Sequence, residues 1–527
     1  MKVLKPIKSK KPQINNGFIS MNVQGSKIVV IGGCGTVGSL MARVLKNNGA
    51  DVTVSDLSTV SPQIKLLKKE GIKLNLGSHD EETLKNADII AVAPSLLKNN
   101  KLIEKIKNIT NSPIISVNEV LDYCNVNKPV VGVTGTNGKT TTTWMLKNIL
   151  KEAGYKVPEH GMDIQGNTEL IPPLQARLDG DAAILEIGTF GNPNEIKRSA
   201  HNSKVSIGII TNISRDHLTN STKFSDYIKC KSEMMEIADT LIFNADDPVI
   251  ACLELDKKPE NSIFYGIENL DLNIDAYPEK RKCPICKTEL KYCIYYLGHL
   301  GIYECTCGFK RPETYVKAYD IKDNEFTLSI GLKEAKIRLK NRGIHNIYNA
   351  LAAASGATAL NIPFEDIIKG IESFTGYKGR FQEIDIGKRV IIDYAHNPAG
   401  VKAIIQAIKS QKPEKSKLIV VNKIDSESGI EGDIEIAKII NDANTDLIIA
   451  ASNASRNALS KIDIKNKVIL TKSSKISSKK GTLGANKEQV EESIKNAISA
   501  AGKNDIILII GEGGVRYSTE ILKKSKN

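Results

Sequence analysis

The chain has 527 residues, 41% of them hydrophobic and 25% charged; this is an ordinary soluble balance, and the length exceeds what one hydrophobic core serves, so roughly three to four domains are expected. No apolar stretch approaches the roughly 20 residues of a membrane span. The 73 Lys and Arg against 60 acids leave a net charge of +13, yet Lys is spread along the chain and no basic stripe is interleaved with aromatics, which argues against nucleic acid and for acidic small substrates.

Residues 1–24 are a Lys-rich, Pro-containing lead-in without the apolar centre of a signal peptide, so a cytoplasmic protein is the expectation. From 25 to 128 the strands KIVVIGG, DVTVSD, DIIAVAP and PIISV alternate with helical patterns in SLMARVLKNN, EETLKNA and LIEKIKN. This alternation predicts a parallel sheet covered by helices. IGGCGTVGSL sets Gly33, Gly35 and Gly38 in a G-x-G-x-x-G pattern between strand and helix, and Asp56 ends the next strand. Such a fingerprint serves a dehydrogenase, or equally a diphosphate that takes no part in redox chemistry.

A second α/β unit, 129–375, opens at KPVVGVTGTNGKTTTTWMLKNIL. Gly135, Gly138, Lys139 and Thr140 lie between a strand and a helix, so backbone N–H groups, a lysine and the helix dipole converge on a phosphate. Val133 stands where the usual P-loop has its first glycine. Because Thr140 supplies one metal oxygen, magnesium nucleotide there needs a carboxylate from a neighbouring strand, and Glu186 in AAILEIG meets that need. TNISRDHL crowds Asn212, Asp216 and His217 at another strand end, where open α/β sheets bind ligands.

Residues 278–316 interrupt this unit with KCPICKTELKYCIYYLGHLGIYECTCGFKRPE. Cys283 and Cys286 form C-x2-C, and Cys305 and Cys307 follow as C-x-C. Two such knuckles give a tetrahedral sulfur site for structural zinc, with Cys293 and His299 as alternative ligands. No phosphate motif lies inside the insertion, so a stabilising or partner-docking role is expected of it. The helical stretch GIHNIYNALAAASGATALN closes the unit, and 376–527 carries TGYKGRFQE and the strands RVIIDYAHNP, KLIVVNKID, DLIIAAS and DIILIIGEGG.

GTNGKTT, the Glu186 strand, TNISRDHL, NADDP, GIHNIYNALAA, KGRFQE and DYAHNP resemble, in order, the signature motifs of the Mur ligase family. Its members are ATP-dependent amide ligases that add amino acids to nucleotide-linked cell-wall precursors. The resemblance covers residues 25–527 and implies an α/β protein of three domains. These are a Rossmann-like precursor-binding domain, a central P-loop ATPase domain bearing the zinc-ribbon insertion, and a Rossmann-like third domain that brings the amino acid and closes over ATP. It implies that Gly33, Gly35, Thr36, Gly38 and Asp56, with Gly166 and Asn167 of GNTEL, hold the precursor's diphosphate. Gly135, Thr136, Asn137, Gly138, Lys139, Thr140 and Thr141 would hold the ATP phosphates. Thr140 and Glu186 would take one Mg2+, and His217 a second together with Lys231 in carbamylated form. Asn346 and NADDP would border the adenine and ribose, while Arg380, Asp393, His396 and Asn397 arrive from the third domain. Lys139, His217, Lys231, Arg380 and Asp393 form the expected catalytic group. The implied partners are an amino acid and a UDP-linked or similar acidic precursor; a monomer is one expectation, and the sequence leaves the oligomeric state open.

Thr219 stands after DHL where the family usually has Asp, no D-N-P-R segment is present, and IIGEGGVRY replaces the usual Gly-Lys-Gly-His type of segment. These departures leave the amino acid open. The insertion's H-L-G-x-Y-x-C and C-G-x-x-R-P elements resemble the Mur-like subunit of a lipid II glutamine amidotransferase, so an amidotransferase subunit working with a glutaminase is the alternative reading. That subunit normally lacks the first domain, and a full-length chain with a zinc ribbon is most similar to the peptide ligases of archaeal pseudomurein. An NAD-dependent oxidoreductase would leave every motif after residue 130 without a role.

Overall fold

Strands Lys27–Ile31 and Ile89–Val92 are apolar on both faces, which suits central positions in a parallel sheet covered by helices. With Asp51–Asp56, Lys73–Leu76 and Ile114–Ile115 they form a five-stranded parallel sheet, ordered third, second, first, fourth, fifth along the chain. The strand order reverses beside Lys27–Ile31, and the glycine loop leaves from that point. Gly38 lies in the helix Thr36–Asn47, where a Cβ would sit 2.2 Å from the Gly32 carbonyl oxygen. Only glycine lets the helix start this close to the strand. Asp56 accepts the N–H of Cys34 and that of Ser58, each at 2.9 Å, so its carboxylate braces the loop. The computed structural model describes residues 23–161, 169–215, 223–257, 261–271, 278–471 and 487–525.

The second sheet has eight strands. Val130–Thr134, wholly buried, pairs in parallel with Ala183–Glu186 on one side and Ile207–Ile210 on the other. Beyond Ile207–Ile210 come Thr240–Asn244 and Asn261–Ile267, still parallel. Val316–Lys322, Glu325–Ile330 and Lys333–Arg338 then extend the sheet, the last two antiparallel. Helices Lys139–Glu152 and Ile344–Ala359 contribute Leu146, Ile149, Leu150, Ile347, Leu351 and their neighbours to one core with Val131, Val133, Ile207 and Ile209. Within the insertion, Lys291–Leu297 and Leu300–Glu304 form an antiparallel hairpin. The third sheet has six strands, with Arg389–Asp393, Ile506–Ile510, Leu418–Asn422, Leu447–Ala450 and Lys467–Leu470 parallel and Gln382–Asp385 antiparallel at one edge. Among the described residues no helix is long and apolar enough to cross a membrane.

Two junctions bring the sheets together. At the first, Ile171, Leu174 and Leu178 enter the core of the N-terminal sheet. Arg43 pairs with Glu70 at 2.8 Å and donates to the carbonyls of His160 and Glu159 at 2.8 and 3.1 Å. Burial, helped by the charge of Lys147, pushes the His160 imidazole down from 6.5 to about 4. The unfolded chain thus takes up a proton that the folded protein refuses. Stability from this group is complete above about pH 6.5 and falls toward pH 4, by up to about 3 kcal/mol. His160→Gln is expected to flatten the fall of the urea midpoint across that window; an unchanged slope would remove His160 as its source.

At the second junction, Trp144 on the phosphate-loop helix stacks on Tyr377 of the linker to the third sheet, with ring centroids 4.6 Å apart. Asn137 and Asn397 exchange side-chain hydrogen bonds at 3.2 and 3.0 Å across 260 residues. The third unit is therefore already closed over the phosphate loop.

Candidate active site

Residues 135–138 turn from the buried strand Val130–Thr134 into the helix Lys139–Glu152. Gly138 has φ +85°, and a Cβ there would meet Asn349 Oδ1 at 2.3 Å, so both conformation and space demand glycine. Asn212 holds this loop from the neighbouring strand. Its Oδ1 accepts the Asn137 N–H at 3.1 Å, its Nδ2 donates to the Asn137 carbonyl at 2.9 Å, and its own carbonyl accepts the Thr136 N–H at 2.8 Å. Asn212 is a brace of the cradle. Lys139 Nζ curls onto the carbonyls of Gly135 and Thr136 at 3.0 and 2.8 Å.

Three elements meet at Thr140. Its hydroxyl donates to Glu186 Oε2 at 2.8 Å and accepts from Arg380 Nη2 at 3.0 Å. Lys231, on the helix Phe224–Ser232, is 1% exposed, with Nζ 5.1 Å from the centre of the Tyr227 ring. Lys231, Glu186, Thr136, Thr140 and Thr141 all line one cavity of about 600 Å³.

The third unit closes the cavity. Asp393 accepts the N–H groups of Phe381 and Ala395 at 2.7 and 2.8 Å. It thereby orders the backbone around Arg380, whose guanidinium lies 4.3 Å from the centre of the Tyr394 ring. His396 Nε2 is 3.3 Å from Glu427 Oε2, and Asn397 caps the helix Pro398–Lys409 by accepting from Gly400 N at 2.8 Å. Asn346 donates to the Arg342 carbonyl at 2.8 Å and faces the cavity. Gly33, Gly35, Thr36, Gly38 and Asp56 stand apart in the N-terminal unit, on the loop after Lys27–Ile31, the helix Thr36–Asn47 and the end of Asp51–Asp56. Asp216, His217 and Thr219, with Gly166 and Asn167, lie outside the described residues.

The NADDP segment supplies two carboxylates that are paired with the insertion. Asp246 and Asp247 are fully buried. Asp246 accepts from Arg311 Nε at 2.5 Å, the Tyr348 hydroxyl at 2.7 Å and Ile267 N at 2.9 Å. Asp247 accepts from Ile213 N at 2.7 Å and lies 3.1 Å from His299 Nε2. They tie the insertion to the central sheet, since two such carboxylates are tolerable inside only when fully paired. The signal was present in the insertion's one arginine beside proline, Arg311, and its one histidine, His299.

The insertion's sulfurs converge. The Sγ atoms of Cys283, Cys286, Cys305 and Cys307 all lie within 4.8 Å of one another, and Cys283–Cys307 and Cys286–Cys305 are 3.7 and 3.4 Å apart. Cys293 is exposed outside this cluster, and His299 is committed to Asp247.

A phosphate loop, a threonine and a glutamate facing one another, and a basic third unit closed over both define an α/β enzyme built for phosphoryl transfer. Family models match in three consecutive parts: the Mur ligase MurD-like N-terminal domain over residues 26–116, the Mur ligase middle domain over 133–357 and the Mur ligase glutamate ligase domain over 379–513. The chain belongs to the Mur ligase family, and as a member it is an ATP-dependent carbon–nitrogen ligase. A solved pseudomurein peptide ligase type C from Methanothermus fervidus is 54% identical, with TM-score 0.86, and the match covers 95% of this chain and 100% of that one. A UDP-N-acetylmuramate–L-alanine ligase from Aquifex aeolicus (strain VF5) is 27% identical over 94% of this chain and 96% of its own length. The MurT subunit of the glutamine-hydrolyzing lipid II isoglutaminyl synthase from Staphylococcus aureus (strain COL) is 27% identical over 56% of this chain and 67% of its own.

Proposed function

We propose that this chain joins an amino acid through a new amide bond to an acidic, nucleotide-linked precursor of pseudomurein, in the cytoplasm. The observation that carries this reading is the Thr140 hydroxyl, where the phosphate-loop helix, the Glu186 strand and a third-unit arginine meet within 3.0 Å. The likeness at 54% identity to a pseudomurein peptide ligase over the whole of that chain supports the substrate class. The amidotransferase alternative rests on a match to little over half of this chain.

In this reading the loop bearing Gly33, Gly35, Thr36 and Gly38, with Asp56 and with Gly166 and Asn167, takes the precursor's diphosphate. Residues 135–141 take the ATP phosphates. Thr140 and Glu186 supply the oxygen donors a hard cation prefers, and the 2.8 Å between them fits two ligands of one Mg2+. Lys231 is buried in the same cavity wall; CO2 added to its amine would make it a carboxylate-like ligand for a second Mg2+ together with His217. The metal ions supply charge neutralisation for phosphoryl transfer.

The precursor carboxylate attacks the γ-phosphorus, an O–P bond forms, and ADP departs. Lys139 and Arg380 offset the negative charge that spreads over the transferring group. The amine then attacks the acyl phosphate carbon, the C–N bond forms, phosphate leaves, and the amine's proton passes to solvent. Asp393 holds Arg380 in place, Asn397 ties the third unit to the phosphate loop, and the closed third unit excludes water from the acyl phosphate. Asn346 and His396, which line the same cavity, would border the nucleotide. The cysteine sulfurs fit a structural zinc, whose tetrahedral S₄ set places sulfurs about 3.8 Å apart.

Phosphate release measured over a panel of precursors and amines is the direct test. Release that requires one precursor together with one amine is the expected outcome. Turnover appearing only with a glutaminase would move the chain to the amidotransferase reading.

A further inference from the structure

The Cys-rich insertion, expected to have a stabilising or partner-docking role, also supplies part of the cavity's wall. Glu279 and residues 297–300 line the cavity, and the latter form the tip of the hairpin Lys291–Leu297 and Leu300–Glu304. Several anchors seat that tip on the central sheet. His299 is buried against Asp247 at 3.1 Å, Gly301 N–H donates to the Asp246 carbonyl at 3.0 Å, and the Tyr303 hydroxyl donates to the Ala245 carbonyl at 3.0 Å. The cysteine cluster gathers the far ends of the hairpin, with Cys305 directly after its second strand. The wall is therefore placed by the sheet on one side and by the sulfur site on the other.

The cavity has two chemically different flanks. Glu169, Glu186, Glu195 and Lys231 lie on one, beside the phosphate loop. The other is made by Tyr265, Leu297, Leu300 and Tyr348, with Glu279, His299, Asn346 and Lys402 among them. Strand order explains the division. Ala183–Glu186 lies on one side of the phosphate-loop strand, while Ile207–Ile210, Thr240–Asn244 and Asn261–Ile267 lead away on the other toward the hairpin. A nucleotide whose phosphates occupy residues 135–141, next to Glu186, has its charged end on the first flank. A mostly apolar wall with a few polar groups is what a heteroaromatic base and its sugar require.

We propose that the hairpin tip is the nucleoside-recognition wall of this ligase, with Leu297 and Leu300 packing against the base of ATP and Glu279 accepting a hydrogen bond from its sugar. The proposal rests on reading the cavity as the ATP site. Lys402 of the third unit lines the cavity near Glu279, so the wall closes against that unit as well as against the central one.

The test uses the full chain carrying Leu297→Ala or Glu279→Gln. Binding of a non-hydrolysable ATP analogue and of inorganic triphosphate is measured by calorimetry, beside bound zinc, melting temperature and the KM values for ATP and precursor. Leu297→Ala is expected to weaken the analogue about tenfold, the cost of lost apolar contact in a pocket, and to leave triphosphate, zinc and the precursor KM unchanged. Glu279→Gln is expected to act in the same direction. Equal weakening of analogue and triphosphate, a raised precursor KM, or no change in either variant would each overturn the assignment. Failure of the wild-type chain to bind both the analogue and triphosphate would instead remove the ATP reading beneath it.

Discussion

Lys231→Ala is expected to lower amine-dependent phosphate release by about a hundred- to a thousandfold, the scale of removing one preorganised charge-stabilising group from a phosphoryl-transfer site. Lys231 is 1% exposed in the wall that also holds Glu186, so truncation leaves a small lined cleft rather than a surface change. If the side chain acts as a carbamate, acetate or propionate supplied at high concentration enters that cleft and restores part of the rate, because each returns a carboxylate to the lost position. Methylammonium would do the opposite. Recovery with the amine and none with carboxylates would show that Lys231 works as a cation. Nucleotide affinity, read separately, should change far less than turnover, since Lys139 and the loop amides are untouched.

Replacing Cys283 and Cys286 together by serine is expected to abolish bound zinc and to lower the melting temperature by about 10 °C or more, because metal binding is folding free energy for a segment with little core of its own. That core is small: Ala251, Leu290, Tyr303 and Phe309 cluster around Cys283. Zinc content by atomic spectroscopy and melting by calorimetry read the two consequences independently. A zinc-free double variant that melts with the wild type would show that the sulfurs carry no structural metal.

The strand–loop–helix at 130–152 was legible because local signals coincide there: a buried apolar run, glycines at the turn, then a lysine at the first helical position. The three α/β sheets were legible through alternating strand and helix periodicities. Lys73–Leu76, Lys467–Leu470 and the antiparallel strand Gln382–Asp385 were missed, being four residues each and carrying charge where an apolar run would have marked a strand. The bond from Arg380 to Thr140 spans 240 residues and that from Tyr348 to Asp246 spans 102. No local pattern encodes such pairs; they follow from which strand ends the sheets place side by side. The partners of the NADDP acids, Arg311 and His299, likewise arrive from an insertion whose path the sequence leaves open.

The stack of Trp144 on Tyr377 joins the helix that begins at the phosphate loop to the linker that carries the third unit. The chain has a single tryptophan. Swinging the third unit away would part these two rings and expose the indole to water, and closing it would bring them together again. The one indole of the chain therefore stands at the contact that such a swing would break. A swing of the third unit would then be read from the emission of the unlabelled wild-type chain on rapid mixing with nucleotide and precursor.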